Sequence, residues 1–269
     1  MSRAFFAAVP AMLLCGGVLA QSDPAAFQPI EGQAGKDVVW VPTPPTLVEK
    51  MLDMAGVTAK DYVIDLGSGD GRNVIAAAKR GARALGVEYN PEMVALSQRA
   101  AAAEGVSDKA QFVQGDMFEA DISRATVLPL FLLPDNLRKL TPKFLDLPPG
   151  TRIVTNGFTI PGWDADEAGI AYGDCDAWCN AYLYIVPAKV AGTWRLPKGE
   201  VEFSQEYRAL TGKLSGEGGA TLPVASGQIK GDRIRFIIGL DEYTGRVHGG
   251  TMSGEVSGSV SGRWTATRR

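Results

Sequence analysis

The stretch that decides the fold lies at residues 63–73 and reads VIDLGSGDGRN. An apolar run ends there in three glycines within five positions, and an alanine-rich segment with helical spacing follows at 73–80. Glycines at such a junction let the backbone turn sharply and approach a ligand closely. The first turn of the following helix offers unpaired N–H groups to that ligand. The stretch therefore predicts a strand, a ligand-binding turn and a helix, in that order.

The same alternation of apolar runs and amphipathic stretches continues on both sides of this turn. Apolar runs that predict strands occupy residues 62–66, 84–87, 110–114, 126–133 and 151–156, and helical spacing marks residues 46–55, 73–80, 91–104 and 135–145. Strands that alternate with helices imply crossover connections and a parallel sheet covered on both faces. We therefore predict an α/β fold with a doubly wound, Rossmann-like sheet.

After about residue 190 the pattern changes, because helical spacing stops and glycine becomes frequent. Short alternating segments then recur at residues 192–196, 200–205, 210–214, 227–230, 233–238, 243–247, 251–256 and 263–267. Regularly spaced short strands with turn signals between them are typical of an antiparallel barrel or sandwich. We predict a small antiparallel all-β module over residues 190–269.

The first twenty residues predict an export signal. Arg3 precedes an apolar run at residues 4–14, and a segment of small or short side chains follows as far as Ala20. We expect cleavage after Ala20. The run is shorter than the ~20 residues that a membrane-spanning helix needs. We therefore expect a periplasmic or secreted protein without an integral span after cleavage; an uncleaved N-terminal anchor is the alternative. Residues 21–36 are polar and are interpreted as a linker.

Removal of the signal leaves two cysteines, Cys175 and Cys179. In an oxidising compartment such a pair can close a small loop, and two free thiols are the alternative. A metal site would need more ligands than the chain offers, since His248 is its only histidine. We expect no bound metal.

The charge balance bears on the class of partner. The chain of 269 residues carries a formal net charge of −3, whereas nucleic-acid-binding proteins usually present a basic face. Hydrophobic residues make up 45% of the chain, which is enough for a packed core. We expect a globular protein that does not bind nucleic acid.

Two details of the glycine turn indicate its ligand. A dinucleotide-binding turn has its third glycine three places after the second, and here that position is Arg72. Asp65 and Asp70 also make the turn acidic. Carboxylates repel a pyrophosphate but suit a ligand with a positive centre and a free amino group. S-adenosylmethionine has both.

Acidic residues at the next two strand ends extend this pattern. Glu88 ends the second strand, where a carboxylate can bind both hydroxyls of a ribose. Asp116 follows the third strand, where it can accept a hydrogen bond from an adenine amino group while Met117 or Phe118 packs on the ring. Ordinary solvated carboxylates are the alternative interpretation of both positions. The residues predicted to bind the cofactor here are Asp65, Gly67, Ser68, Gly69, Glu88, Tyr89, Asp116 and Met117.

With these motifs in view, residues 37–187 resemble the small protein-lysine methyltransferases that modify the ATP synthase c-subunit and the adenine nucleotide translocase in mitochondria, and their bacterial relatives. The segments that carry the resemblance are VPTPP at 41–45, DLGSGDGR at 65–72, Glu88, GDMF at 115–118 and LFLLP at 130–134. The resemblance implies a class I methyltransferase domain at 37–188 that uses S-adenosylmethionine. It also implies that an arm around Pro42 and Thr43 folds over the cofactor.

The acceptor is expected to be an amine, and a protein lysine is the leading prediction. Candidates for the catalytic pocket are Trp40, Asn156 and Phe158, with Trp163 as a further lining residue. One alternative is a small-molecule methyltransferase whose pocket is closed by residues 157–180. A second is a catalytically silent envelope protein on the same scaffold, whose β module binds a partner. A nucleotide-dependent oxidoreductase is the most distant alternative.

Overall fold

The structure is a computed structural model that describes residues 27–216 and 219–269. The predicted signal at residues 1–20 lies outside this range, as does the first part of the predicted linker. Among the described helices none is long and apolar enough to cross a membrane.

Between residues 27 and 190, all of which are described, the chain forms four helices and seven strands. The helices are α1 (Pro45–Met54), α2 (Arg72–Lys79), α3 (Pro91–Ala103) and α4 (Pro134–Leu145). The strands are β1 (Tyr62–Leu66), β2 (Arg83–Glu88), β3 (Ala110–Gln114), β4 (Val127–Leu130), β5 (Arg152–Asn156), β6 (Glu167–Ile170) and β7 (Asn180–Ile185).

These strands form one sheet in the order β3-β2-β1-β4-β5-β7-β6. Strands β1 to β5 are parallel. Apolar side chains pack on both faces: Val63 of β1 belongs to a core beneath α1, α2 and α3, and its neighbour Ile64 belongs to a core beneath α4. Because strand side chains alternate between faces, a strand buried on both sides needs such a continuous apolar run. The predicted doubly wound sheet is confirmed.

The far edge of the sheet differs from the prediction. Strands β6 and β7 were not predicted, and both are antiparallel to their neighbours. The chain returns from β5 without a crossover helix, and a strand that returns in this way pairs antiparallel. The strand predicted at 126–133 is also shorter. Residues 131–133 leave the sheet, and Pro134 begins α4, where the missing N–H of a proline costs nothing.

The C-terminal module is a closed antiparallel barrel of eight strands, in the order β10-β11-β12-β13-β14-β15-β8-β9. Its strands are β8 (Gly192–Leu196), β9 (Gly199–Glu206), β10 (Ala209–Gly216), β11 (Thr221–Lys230), β12 (Arg233–Ile238), β13 (Asp241–His248), β14 (Thr251–Ser257) and β15 (Gly262–Arg268). Each predicted segment of this module lies within one of these strands. A hydrophobic cluster that includes Trp194, Phe236 and Trp264 fills the interior.

One seam of the barrel is narrow. Strands β15 and β8 share two residue pairs, Thr267 with Arg195 and Arg268 with Trp194, whereas β13 and β14 share seven. The guanidinium of Arg268 lies 4.5 Å from the ring centroid of Trp194, and its Nη1 donates to the carbonyl of Ala191 at 2.7 Å. A cation–π contact and a hydrogen bond therefore reinforce the short pairing.

The barrel packs against the sheet through an aromatic junction. Trp163, which follows β5, stacks on Tyr207 of the β9–β10 turn with ring centroids 5.2 Å apart. The N–H of Ala188 donates to the carbonyl of Gly231 at 2.8 Å. Trp163 is 3% exposed and does not line the cleft described below. Its predicted place in the acceptor pocket is therefore wrong, because it is buried between the sheet and the barrel.

Candidate active site

The carboxyl ends of β1 to β4 meet in a single cleft, which the arm before α1 covers. The cleft brings together all ten residues predicted to bind the cofactor, which are Pro42, Thr43, Asp65, Gly67, Ser68, Gly69, Glu88, Tyr89, Asp116 and Met117. Two of the three residues predicted for the acceptor, Trp40 and Phe158, also line it. Contact of each residue with a cofactor stays a prediction. The shared location follows from the parallel sheet, whose strand ends meet at one edge.

The glycine turn presses closely against the arm. Gly67, Gly69 and Gly71 all have positive φ angles, of 72°, 54° and 82°. A Cβ atom added at Gly69 would lie 2.8 Å from Nε1 of Trp40, closer than side chains tolerate. The turn therefore needs glycine both for its backbone angles and for the approach of Trp40.

Glu88 is held in place by two backbone groups. Its Oε2 accepts a hydrogen bond from the N–H of Gly69 at 2.9 Å, and its Oε1 accepts one from the N–H of Asn90, also at 2.9 Å. Each carboxylate oxygen keeps a second lone pair. The side chain is therefore fixed at the end of β2 and can still accept two hydroxyl groups, as a ribose would provide.

Asp116 is paired with a lysine of the arm. Its Oδ2 forms an ion pair with Lys36, and its Oδ1 accepts from the N–H of Phe118 at 2.8 Å. Together these contacts lower the pKa of Asp116, with the Lys36 ammonium contributing most. Lys36 also lies 5.0 Å from the ring centroid of Tyr89. Residues 33–36 line the cleft, so the end of the predicted linker is part of the site.

Asp65 is in the opposite electrostatic situation. Its carboxyl is 2% exposed, and burial raises its pKa to about 8, with a further contribution from the charges of Glu88 and Asp70. A hydrogen bond from Nδ2 of Asn73 at 3.1 Å opposes this shift. Without a ligand the carboxyl is therefore largely neutral at pH 7, and an approaching positive charge would favour its ionised form.

Several features show that these residues fit S-adenosylmethionine. Ser68 Oγ and Asn73 Oδ1 are buried without a hydrogen-bond partner in the described part of the chain, and both residues line the cleft. Buried polar atoms are normally paired, so Asn73 Oδ1 is an unused acceptor beside Asp65, whereas Ser68 Oγ packs against Gly86 of β2. The charged lining residues are the carboxylates Asp37, Asp65, Asp70, Glu88 and Asp116 and the cations Lys36 and Arg72. This excess of carboxylates complements a sulfonium cation.

Asn156 does not line the cleft, which contradicts its predicted place in the acceptor pocket. Its side chain is fully buried at the end of β5, where β7 pairs with that strand. Its Nδ2 donates to Oγ1 of Thr43 at 3.1 Å. Because Thr43 does line the cleft, Asn156 supports the arm from behind and is a positioning residue.

The end of the cleft at β4 and β5 is aromatic. Phe131, Phe158 and Trp178 lie side by side there, with ring centroids 5.0 to 6.3 Å apart. Neither Phe131 nor Trp178 was predicted as a site residue. Trp178 lies in a loop closed by a disulfide between Cys175 and Cys179, so of the two alternatives for these cysteines the structure contains the disulfide. That position between the cysteines was the signal available in the sequence.

Together, the open parallel sheet, the glycine turn and the acidic strand ends define a class I methyltransferase dependent on S-adenosylmethionine. Comparison with known proteins agrees. The family described as the ANTKMT methyltransferase domain matches residues 65–167, a segment that ends before the barrel begins at Gly192. A protein-lysine N-methyltransferase from Saccharolobus islandicus (strain REY15A) is 42% identical over 152 residues, which cover 55% of this chain and 94% of that protein. The chain therefore belongs to this methyltransferase family.

Other relatives differ in how much of each chain they cover. The lysine N-methyltransferase of the ATP synthase c-subunit from Xenopus laevis is 36% identical over 129 residues, which cover 48% of this chain and 57% of that protein. Among solved structures, an RNA methyltransferase from Salinibacter ruber in complex with S-adenosyl-L-homocysteine is 42% identical. It aligns with a TM-score of 0.52 and covers 56% of this chain and 96% of that one. All three relatives are named methyltransferases, the solved structure contains S-adenosyl-L-homocysteine, and the names differ in the acceptor.

Proposed function

We propose that this chain transfers a methyl group from S-adenosylmethionine to the side-chain amine of a lysine in a protein. The observation that carries the proposal is the 42% identity to an archaeal protein-lysine N-methyltransferase over 94% of its length. The site supports it, because an aromatic, partly enclosed end of the cleft suits a long aliphatic chain that ends in an amine. A relative of the same identity is named an RNA methyltransferase, so RNA is the second candidate acceptor. The carboxylates of the cleft and the net charge of −3 disfavour a phosphate backbone.

The chemistry is an in-line displacement, for which bound S-adenosylmethionine supplies an activated methyl group. A bond from the lysine nitrogen to the methyl carbon forms as the carbon–sulfur bond breaks, which leaves S-adenosylhomocysteine and a methylammonium that loses its proton to water. The residues of this chain contribute mainly by positioning. Glu88 and Asp116 would hold the nucleoside of the bound cofactor, and Asp65 would bind its amino group. A neutral amine must attack, so the lysine ammonium first loses a proton to water, and the aromatic rings Phe131, Phe158 and Trp178 contribute by positioning the side chain.

The test is methylation with isotopically labelled donor. Purified protein is incubated with labelled S-adenosylmethionine and a bacterial extract, and aliquots are then treated with protease or with ribonuclease. We expect label that resists ribonuclease and is recovered as methyl-lysine after acid hydrolysis. Label recovered only in RNA, or only in small molecules, would overturn the proposal.

A matched pair of variants assigns the activity to this cleft. Glu88→Ala removes the carboxylate expected to bind the ribose and should abolish labelling. Glu92→Ala removes an exposed carboxylate in the first turn of α3, outside the cleft, and should leave labelling unchanged. Equal labelling by both variants would place the activity elsewhere.

We further propose that the chain is exported and that the barrel binds a partner in the cell envelope. The signal-like residues 1–20 and the disulfide support export, since disulfides persist mainly in oxidising compartments. After expression of the full chain, mass spectrometry of the periplasmic fraction should find a mature protein that begins at Gln21. Recovery of the uncleaved chain from the cytosol would contradict export.

A further inference from the structure

Three rings at one end of the cleft form what we call the aromatic wall: Phe131, Phe158 and Trp178. They come from the segments after β4, after β5 and before β7, respectively. Phe158 and Trp178 lie 5.0 Å apart, and Phe131 lies 6.3 Å from each of them. All three line the same cleft as the glycine turn and Glu88.

Trp178 occupies its place in the wall at a cost. Its φ angle is +58°, in the left-handed region that bulky residues rarely adopt. Its side chain is 47% exposed, so burial offsets this cost only in part. Strained residues of this kind cluster at functional sites, and an observed outlier supports a functional hypothesis.

Two neighbouring features keep Trp178 where it is. The disulfide between Cys175 and Cys179 closes the loop that contains it. Gly157 leaves the space that the indole occupies, because a Cβ added there would lie 3.1 Å from Cε3 of Trp178. The ring is thus fixed from its own loop and accommodated by the segment after β5.

We propose that the aromatic wall is the acceptor subsite, which receives the aliphatic chain and the methylated ammonium of the target lysine, and that the disulfide is needed to hold Trp178 in it. Aromatic faces attract alkylammonium groups, and tryptophan does so best. The proposal rests on the proposed lysine specificity and names the residues that would recognise that lysine. The hydrogen bonds and the ion pair that fix Glu88 and Asp116 involve neither Trp178 nor the cysteines.

Acceptor binding and cofactor binding therefore use different parts of the cleft. A dithiol reductant transfers two electrons and two protons to the disulfide, which yields two thiols on the protein and a disulfide on the reductant. Trp178 can then relax from its left-handed backbone and leave the wall. The cofactor residues lie on the arm and at the ends of β1, β2 and β3, and they do not depend on this loop. Reduction should therefore weaken the acceptor and leave the cofactor bound.

The test uses the full chain and two ligands of nearly the same shape. The first is N-acetyl-Nε-trimethyl-lysine amide, and the second carries a tert-butyl group in place of the trimethylammonium. Binding of each is measured by calorimetry with the protein saturated with S-adenosylhomocysteine. We expect the charged ligand to bind about tenfold more tightly than its neutral analogue, since one cation–π contact of about 1.4 kcal/mol gives that factor.

Variants then assign the subsite. Trp178→Ala and the double variant Cys175→Ser with Cys179→Ser should each weaken the charged ligand about tenfold, and Trp178→Phe should recover part of the loss. Binding of S-adenosylmethionine should stay within about twofold in all of them, which also reports a folded cleft. Tyr172→Ala is the matched control, because Tyr172 is an 80% exposed aromatic residue of the same connection, outside both the disulfide loop and the cleft. Treatment of the wild-type chain with reductant is a second route to the same loss.

Three results would overturn the proposal. They are equal binding of the charged and neutral ligands, unchanged binding in Trp178→Ala, and unchanged binding after removal or reduction of the disulfide. Failure of the proposed function would look different. Then no methyl-lysine would form with any variant, whereas failure of this inference leaves methyl-lysine formed at wild-type rates by Trp178→Ala.

Discussion

Asp65 is expected to release a proton when the cofactor binds. Its pKa of about 8 in the free protein means that, at pH 7, about 0.9 of a proton is bound to the carboxyl. A cationic amino group at hydrogen-bond distance favours the carboxylate. Binding at pH 7 should therefore release close to one proton from this side chain, and binding at pH 9, where the carboxyl is already about 90% ionised, should release about 0.1.

Calorimetry in two buffers with different ionisation enthalpies measures this proton release. The amino group of the cofactor also titrates at about pH 8. The informative quantity is therefore the difference in proton release between the wild type and Asp65→Asn. We expect that difference to be close to one proton released at pH 7 and to fall as the pH rises to 9. Asp108→Asn, at an exposed position outside the cleft, should behave as the wild type. Equal release by the wild type and Asp65→Asn at pH 7 would refute the reasoning.

The same shift has a consequence for the stability of the free protein. The folded-state pKa of Asp65 lies above its unfolded value near 3.8, so the folded state binds the proton more tightly. The corresponding contribution to stability is present below about pH 4 and is lost as the pH rises to about 8. At about 1.4 kcal/mol for each pKa unit, the loss amounts to several kcal/mol. Asp65→Asn should remove this dependence, and denaturant unfolding at pH 5 and pH 8.5 measures it.

Two further predictions concern the stability of the folded protein. Gly71→Ala should lower the free energy of unfolding, measured in urea, by about 2–4 kcal/mol, because its φ is +82° and the new Cβ would lie 2.6 Å from the ring of Phe112. Gly105→Ala is the control: its φ is +68° but the space around it is open, so it should lose only about 1 kcal/mol. Equal losses in the two variants would contradict the packing argument. Burial alone would raise the pKa of Asp61, but hydrogen bonds from Thr58 and Thr126 and the charge of Arg152 lower it. The stability of the wild type should therefore fall as the pH drops below about 4. Asp61→Asn should show a shallower loss of stability in acid unfolding.

The sequence was informative where one residue type had one physical reason to be present. Glycines at 67, 69 and 71 predicted a turn that only glycine tolerates, and Glu88 and Asp116 ended apolar runs whose strands had to meet at one edge. The regular turn spacing after Gly192 likewise predicted the β module. In each case local chemistry and the sheet geometry required the same answer.

The errors have a common physical origin in contacts between distant segments. Trp163 and Asn156 were assigned to the acceptor pocket because aromatic and amide side chains are suited to it. Trp163 instead stacks on Tyr207 of the barrel. Asn156 donates a hydrogen bond to Thr43 of the arm, 113 positions away. Trp178 was missed for the converse reason. Its position depends on Gly157 and on two rings from other loops, which no local pattern shows. It also depends on the disulfide, which the pair of cysteines did indicate.

The seam between β8 and β15 is where the fewest residue pairs join neighbouring strands of the barrel. A closed barrel protects its backbone groups only while every neighbouring pair of strands holds, and here one pair depends on two residue pairs, on the backbone hydrogen bond from Arg269 to Thr193 and on the side chain of Arg268. The strand pairing is therefore uneven around the barrel. Transient release at Arg268 would expose two strand edges at once and make them available to pair with a strand from another molecule.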